Sequence, residues 1–234
     1  MISKFRIGAL VIILNFFASV AMIWGQDNPS LLQMAVPSLN IAPDARGGGM
    51  GDMGAATLPD INSQYWNAAK YAFMGSKAGV SLSYTPWLRK LVNDVALVNM
   101  TGYYKLGNSD LQAISASLRY FSLGEVNIWE NIGDVPYGLN PYEMAFDVAY
   151  SRKLSESYSM AVTLRYIRSD MGTDQNDESN AGNAFSADIS GYLEKYVLMG
   201  NAEALWSFGF NLSNIGSKIS VSYTHLTLPT IRLV

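Results

Sequence analysis

Four charged residues that alternate in sign are the first candidates for chemistry in this 234-residue chain. They are Arg119, Asp147, Arg165 and Asp188. Two carboxylates beside arginines can carry out acid–base catalysis, but no nucleophile accompanies them here. The chain has no cysteine and a single histidine, which excludes thiolate chemistry and argues against a histidine-based metal site. We therefore interpret the four residues as structural, and we predict no catalytic residue, no metal site and no cofactor.

The glycine-rich run at residues 49–54 (GMGDMG) satisfies the GxGxxG pattern of dinucleotide-binding sites. That pattern binds phosphate when it lies between a strand and a helix. Here Pro37 and Pro43 interrupt the stretch before the glycines, and Pro59 follows them closely. We expect the glycines to permit tight turns and close packing instead. The net charge of −3 also argues against a nucleic-acid partner, which requires a basic surface.

The elements that must position the four charged residues are strands. After residue 78, apolar residues alternate with small or polar residues, and a period of two places the two sets on opposite faces of a strand. The four charged residues all fall on small, polar faces. The pattern predicts about seven strands of roughly 10 residues, a length typical of outer-membrane strands. The alternating segments are 80–85, 94–105, 113–120, 144–151, 158–166, 184–193 and 205–212.

This pattern favours an all-β fold, a transmembrane antiparallel β-barrel. Lipid has no water to satisfy an open sheet edge, so a spanning sheet must close. Short and long connections alternate, and we expect the long ones at 86–93, 122–141 and 169–183 to face outside. The link at 196–203 is predicted to be of intermediate length. A secreted β-sandwich, which also alternates, remains the alternative.

Aromatic residues near the segment ends predict the two interfacial girdles of a membrane barrel. They are Tyr103, Tyr104, Tyr120, Phe121, Tyr158, Tyr166, Tyr192 and Trp206.

The four charged residues would face the lumen of such a barrel, toward its outer half. Opposite charges on neighbouring strands stabilise a sheet by roughly 0.2–1 kcal/mol per pair. We predict a luminal ion-pair row that fixes the register of the strands. In the alternative, the stagger of the strands separates the charges and each one meets water.

Residues 1–25 are typical of a secretory signal peptide. Lys4 and Arg6 precede an apolar run at 7–24, and the small residue Gly25 precedes a polar, turn-forming stretch. The alternative is a transmembrane anchor, since about 17–25 apolar residues suffice to span a membrane. We expect an exported protein that is located in the outer membrane.

The residues before the first strand carry a resemblance to a known family. Residues 42–57 and 59–73 resemble the N-terminal region of the PorV family, outer-membrane proteins of the Bacteroidetes type IX secretion system. Residues 83–88 (SYTPWL) and 118–124 (LRYFSLG) also resemble that family, and the likeness extends from about residue 30 to about 219. The family is similar to the FadL group of fatty-acid transporters.

The resemblance implies a FadL-like barrel, 14-stranded when complete, with an N-terminal hatch folded into its lumen. It predicts a hatch at 26–77, the first half of the barrel at 78–219, and a tail at 220–234 that does not match the family and that we interpret as non-native. Ala68 departs from FadL-like hatches, which usually have proline after the Trp-Asn pair. The predicted hatch residues are Asp44, Arg46, Gly49, Gly51, Trp66 and Asn67.

The resemblance further implies a non-enzymatic shuttle and adaptor. It would bind the C-terminal signal domains of secreted cargo after the translocon and deliver them to PorU and other subunits of the surface attachment complex. Apolar residues in the 122–141 connection are candidates for cargo contact, because exposed apolar side chains often mark binding; packing within the loop is the alternative. They are Trp129, Ile132, Val135 and Tyr137.

Two other functions remain open from the sequence. One is a FadL-like outer-membrane transporter of hydrophobic small molecules, which needs an apolar lumen that the small, polar faces do not supply. The other is a secreted adhesion or matrix β-domain that makes no contact with outer-membrane lipid.

Overall fold

The computed structural model describes residues 36–87, 89, 94–107, 110–128, 137–171, 181–200, 202–217 and 219. The predicted signal peptide (1–25) and the predicted non-native tail (220–234) lie outside the described residues. Among the described residues, no helix is long and apolar enough to cross a membrane.

Seven strands form one antiparallel sheet in which each strand pairs with the next of the seven along the chain. The sheet is therefore a meander, and it curls into a half-barrel. This confirms the all-β expectation and the number of long strands. The strands are β1 (Ala78–Pro86), β2 (Val95–Leu106), β3 (Gln112–Leu123), β6 (Tyr142–Lys153), β7 (Tyr158–Asp170), β8 (Gly182–Met199) and β9 (Ala202–Gly216).

Two connections differ from the prediction. A small separate ribbon, β4 (Val126–Ile128) paired with β5 (Tyr137–Leu139), occupies part of the predicted 122–141 loop. The predicted link at 196–203 is wrong, because β8 continues to Met199 and pairs there with Ala202. Gly200 adopts φ +67° between the two strands, a conformation that glycine reaches without steric cost. The chain therefore turns tightly where the sequence predicted a longer connection.

The two faces of the sheet have opposite polarity. On the outer face apolar side chains are exposed; Leu82, for example, is 72% exposed. On the inner face small and polar side chains are buried, and Asp147 is only 6% exposed. A water-soluble sheet has the reverse arrangement, with its apolar side buried.

Three aromatic residues predicted for the girdles lie on the inner face instead. Tyr103, Phe121 and Tyr192 are buried there, so the girdle prediction is wrong for them. Neighbouring residues in a strand point to opposite faces. Tyr104 and Tyr120, each adjacent to one of these buried rings, are exposed on the outer face.

Residues 36–77, which we call the covering segment, pack against the inner face. They form short helices joined by irregular backbone: 3₁₀ helices at Pro37–Asn40 and Ala68–Phe73, and α-helices at Ala45–Gly49 and Ser63–Trp66. The Ala68–Phe73 helix contributes Ala68, Ala69 and Tyr71 to the apolar core that it shares with the strands. Within that core, Tyr71 stacks on Tyr103 with ring centroids 4.9 Å apart, and both rings are buried.

The covering segment approaches β9 closely at Gly209. A Cβ atom at that position would lie 2.0 Å from the carbonyl oxygen of Ala55. Gly102 on β2 provides a contrast, because its nearest neighbours would be 3.6 Å from such a Cβ. Only glycine therefore fits between β9 and the covering segment.

We expect Gly209→Ala to weaken the packing of the covering segment by about 1–3 kcal/mol, the usual cost of overpacking. Limited proteolysis within residues 36–77 should become faster in this variant. The matched variant Gly102→Ala should leave the proteolysis rate unchanged. Equal rates in both variants would show that the close approach at Gly209 does not hold the segment.

Candidate functional site

Serines of the inner face donate hydrogen bonds to the backbone of the covering segment. Ser83 on β1 donates to the carbonyl of Pro43 at 2.6 Å. Ser159 on β7 donates to Ala69 at 2.7 Å, and Ser207 on β9 donates to Ala56 at 2.7 Å. These serines satisfy carbonyl groups that the irregular segment cannot pair within itself, and an unpaired buried carbonyl is costly.

Asn67 joins the covering segment to the far side of the sheet. Its side-chain oxygen accepts a hydrogen bond from the amide of Ala69 at 3.0 Å and so caps the Ala68–Phe73 helix. Its amide nitrogen donates to the carbonyls of Ala55 and Gly191, each at 2.9 Å. Asn67 is fully buried. Because the side chain satisfies two parts of the segment and β8 together, no apolar residue could replace it.

Asp44 and Trp66 form the second fixed point of the segment. The carboxylate of Asp44 accepts from the amide of Gly47 at 2.7 Å and from the indole nitrogen of Trp66 at 2.9 Å. It thereby caps the Ala45–Gly49 helix. A Cβ atom on Gly54 would lie 2.1 Å from the Trp66 ring. The carboxylate and the indole therefore hold two separate turns of the segment against each other.

The other predicted hatch residues lie at the surface of the segment. Arg46 pairs with Asp60 at 2.6 Å, and its side chain is 43% exposed. Gly49 and Gly51 would have open space around a Cβ atom, although Gly51 has φ +76°. The structure thus brings Asp44, Trp66 and Asn67 into packed contacts and leaves the remaining three predicted residues outside them.

Three of the four predicted luminal charges meet on the inner face. Arg165 on β7 contacts Asp147 on β6 at 2.6 Å and Asp188 on β8 at 2.8 Å. The guanidinium also donates to the side-chain oxygen of Asn214 at 2.6 Å. Arg165, Asp147 and Asp188 are buried. The result is a three-strand ion cluster in which one arginine contacts both carboxylates.

A β-bulge places Asp188 within this cluster. The pairing of β8 with β9 shifts between Ala187 and Ile189, so that two residues of β9 lie opposite Asp188. One of them, Asn214, has φ +62°, and its amide donates to Asp188 at 2.7 Å. The backbone of β9 therefore helps to compensate this carboxylate.

Arg119 does not join the ion cluster. The strand register places it opposite Ala145 and places Ser117 opposite Asp147. Its guanidinium instead donates to the carbonyls of Ser38 at 3.2 Å and Leu39 at 3.4 Å. It also lies 4.5 Å from the centre of the Tyr65 ring. Arg119 therefore binds the covering segment, and the role of the four charges in fixing strand register stays a prediction.

A cavity of about 260 Å³ lies between the ion cluster and the covering segment. Its lining includes Tyr65, Trp66, Arg119, Asp147, Arg165 and Asn214. Such polar walls suit water or a small polar group rather than an acyl chain. Within the described part of the chain, no cluster of acidic or histidine side chains could hold a metal ion.

The sequence interpretation missed several buried charges, Glu143 and Lys70 among them. Glu143 on β6 accepts from the amide of Ser38 at 3.0 Å. Its even spacing from Asp147 puts it on the inner face, so the strand alternation could have found it. Lys70 is 0% exposed and donates to the carbonyl of Gly54 at 2.9 Å and the hydroxyl of Thr57 at 3.1 Å. It lies outside the strands, where no periodic pattern marks it.

Burial lowers the pKa of Lys70 to about 8. Asp60 and Asp44 act against this lowering, whereas Arg46 adds to it. Burying the charged ammonium therefore costs free energy, and the two hydrogen bonds offset part of that desolvation cost.

The predicted cargo-contact residues Trp129, Ile132 and Val135 lie outside the described residues. For Tyr137 only the backbone is described, at the start of β5. Their role stays a prediction.

We expect Arg165→Met to destabilise the fold by about 3–5 kcal/mol, because it leaves two buried carboxylates without compensation. Arg46→Met removes an exposed ion pair and should cost less than about 1 kcal/mol. Chemical unfolding of the two purified variants compares these costs directly. A similar small loss in both would mean that the buried cluster contributes no more than a surface pair.

The pKa of Lys70 is about 8 in the folded protein, compared with 10.5 for an ordinary lysine. We therefore expect the packing of the covering segment to strengthen as the pH rises from about 8 toward 10.5. In that range the released segment binds a proton on Lys70 that the packed segment does not bind. Protease cleavage within residues 36–77 should slow accordingly. Lys70→Met should remove this pH dependence; an identical pH profile in both proteins would contradict the assignment to Lys70.

Comparison with known proteins assigns the chain to a family. Residues 25–226 match the family model described as Type IX secretion system protein PorV. The comparison with curated proteins gives no match. The family match includes the covering segment, the ion cluster and all seven long strands. The chain therefore belongs to the PorV family of type IX secretion system proteins.

Proposed function

We propose that this protein is an outer-membrane β-barrel of the type IX secretion system. Residues 1–25 direct its export, residues 26–77 form a hatch, and residues 78–219 form the first half of a 14-stranded FadL-like barrel. The observation that carries the proposal is the reversed polarity of the sheet, which buries serines and ion pairs and exposes apolar side chains. Such a sheet is stable where its outer face meets acyl chains.

The height of the apolar band on the outer face supports this location. On β6, Tyr142 and Arg152 lie ten residues apart on the outer face, and the outer positions between them carry no charge. Ten residues of strand span about 33 Å. A strand tilted by about 40° then rises about 25 Å, the height of the apolar band in outer-membrane barrels.

Within the secretion system, the proposed role is that of a shuttle and adaptor without catalysis. The protein binds C-terminal signal domains of secreted cargo after the translocon and delivers them to the surface attachment complex that contains PorU. Membership of the PorV family supports a secretion role. The covering segment also packs across the inner face, so the proposal assigns cargo binding to the long connections.

Transport of hydrophobic small molecules, the FadL-like alternative, has less support. An acyl chain needs an apolar route, because stripping water from charged walls is costly. The cavity beside the covering segment is lined by Arg119, Asp147 and Arg165. We therefore do not propose a lipid transport function.

The proposal is tested by capture of an isolated C-terminal signal domain on the detergent-purified protein. Replacing Trp129, Ile132 and Val135 together by serine should reduce capture at least about tenfold, since aromatic and apolar anchors dominate protein interfaces. Asn127→Ser, on the exposed ribbon strand β4, is the matched control and should leave capture unchanged.

Both variants must still fractionate with the outer membrane and migrate in gels in a heat-dependent manner, as folded barrels do. A wild-type protein in the outer membrane that captures no signal domain would refute the shuttle role alone. A wild-type protein that fractionates without membranes would refute the barrel as well.

A further inference from the structure

Charged side chains on the outer face of the seven strands lie only toward the strand ends. At the ends near the long connections they are Arg168 and Asp170 on β7. Toward the short turns they are Arg152 on β6 and Lys195 on β8. In the membrane setting of the proposed function, on which this inference rests, these positions meet the lipid headgroups.

Arg168 belongs to a preformed polar group among aromatic rings. Its Nε atom donates a hydrogen bond to the hydroxyl of Tyr142 on β6 at 3.2 Å. Tyr142 stacks on Tyr120 with ring centroids 5.5 Å apart, and Tyr166 lies 5.2 Å from Phe185. The guanidinium thus contacts Tyr142, and the two ring pairs beside it are contributed by four neighbouring strands.

Arg168 is incompletely compensated by the described protein. In the described part of the chain, the carboxylate within 4 Å of its guanidinium is that of Asp170, at 3.9 Å. That separation is too long for a charge-assisted hydrogen bond, which needs about 2.7–2.9 Å. The side chain is one-third exposed (33%), so an external anion can reach it.

We propose that Arg168 and Tyr142 bind the phosphate of a membrane-lipid headgroup in the leaflet near the long connections. The fork of a guanidinium matches phosphate oxygens in a bidentate manner. The Tyr142 hydroxyl accepts from Nε and keeps its own proton for a phosphate oxygen. The surrounding rings then pack against the upper part of the lipid, where amphipathic aromatic side chains are stable.

Arg152 provides the matched comparison at the opposite end of the sheet. It also lies on the outer face and beside a tyrosine, Tyr150. The hydroxyl of Tyr150, however, donates to the side chain of Gln112 at 2.8 Å. Arg152 therefore offers the same charge without the arginine–tyrosine pair that defines the Arg168 site.

The experiment is native mass spectrometry of the detergent-purified protein, titrated with phosphatidylglycerol in mixed micelles. We expect one tightly retained phosphatidylglycerol on the wild-type protein. Arg168→Gln should weaken its retention by about tenfold or more, the range of one charge-assisted contact. Tyr142→Phe should weaken it less, because the guanidinium remains, and Arg152→Gln should leave it unchanged.

Three results would overturn the lipid site. The first is retention of as much lipid by Arg168→Gln as by the wild type. The second is an equal loss of lipid in both arginine variants, which indicates a general charge effect. The third is displacement of the lipid by millimolar inorganic phosphate, which indicates a site for free anions. Heat-dependent gel migration of every variant confirms that it is folded. Since the wild-type protein is first shown to fractionate with the outer membrane, these results would leave the proposed function standing.

Discussion

The backbone of the covering segment has to find hydrogen-bond partners, and the sheet supplies them. Residues 36–77 contain only short helices, so many of their carbonyl and amide groups have no partner within a regular element. Ser83, Ser159 and Ser207 reach them from three different strands. A hydroxyl is short enough to let the segment lie close to the sheet. This requirement explains why the inner face of the strands is rich in small polar residues, and hence why the apolar residues lie on the other side.

The two buried arginines are compensated in different ways. Arg165 has two carboxylates and a side-chain amide around it, whereas Arg119 is held by two carbonyls of the covering segment and a tyrosine ring. The first arrangement joins strands to one another, and the second joins the sheet to the segment. Removing one partner of a buried polar contact costs more than the contact contributes. We therefore expect a substitution at either arginine to destabilise the protein.

The sequence could predict the strands and their faces because alternation over about ten residues is a strong signal. It failed where a single residue decides the outcome. Tyr103 and Tyr104 are neighbours, and only the phase of the strand shows that the first is buried and the second exposed. The end of β8 was likewise predicted to be an irregular link. In the structure the strand continues, and the chain turns at Gly200.

Long-range contacts were beyond the sequence for a different reason. The signs of the four charges predicted a row, but the register of β3 with β6 places Arg119 opposite Ala145. That register depends on hydrogen bonds between strands, which a single sequence does not reveal. Lys70 lies in an irregular stretch, where neither period nor spacing indicates that its ammonium is buried.

The reversed polarity of the sheet also constrains where a partner can bind. An outer face that is stable against lipid gives no specificity to a soluble protein, because its contacts are apolar and non-directional. The inner face is already occupied by the covering segment, whose release would leave the serines and Arg119 without their carbonyl partners. What remains are the ends of the strands, where aromatic rings and charge occur together. In the proposed membrane setting, recognition of cargo and of lipid headgroups is therefore confined to the rims of the sheet, and the wall between the rims serves to hold them apart at a fixed distance.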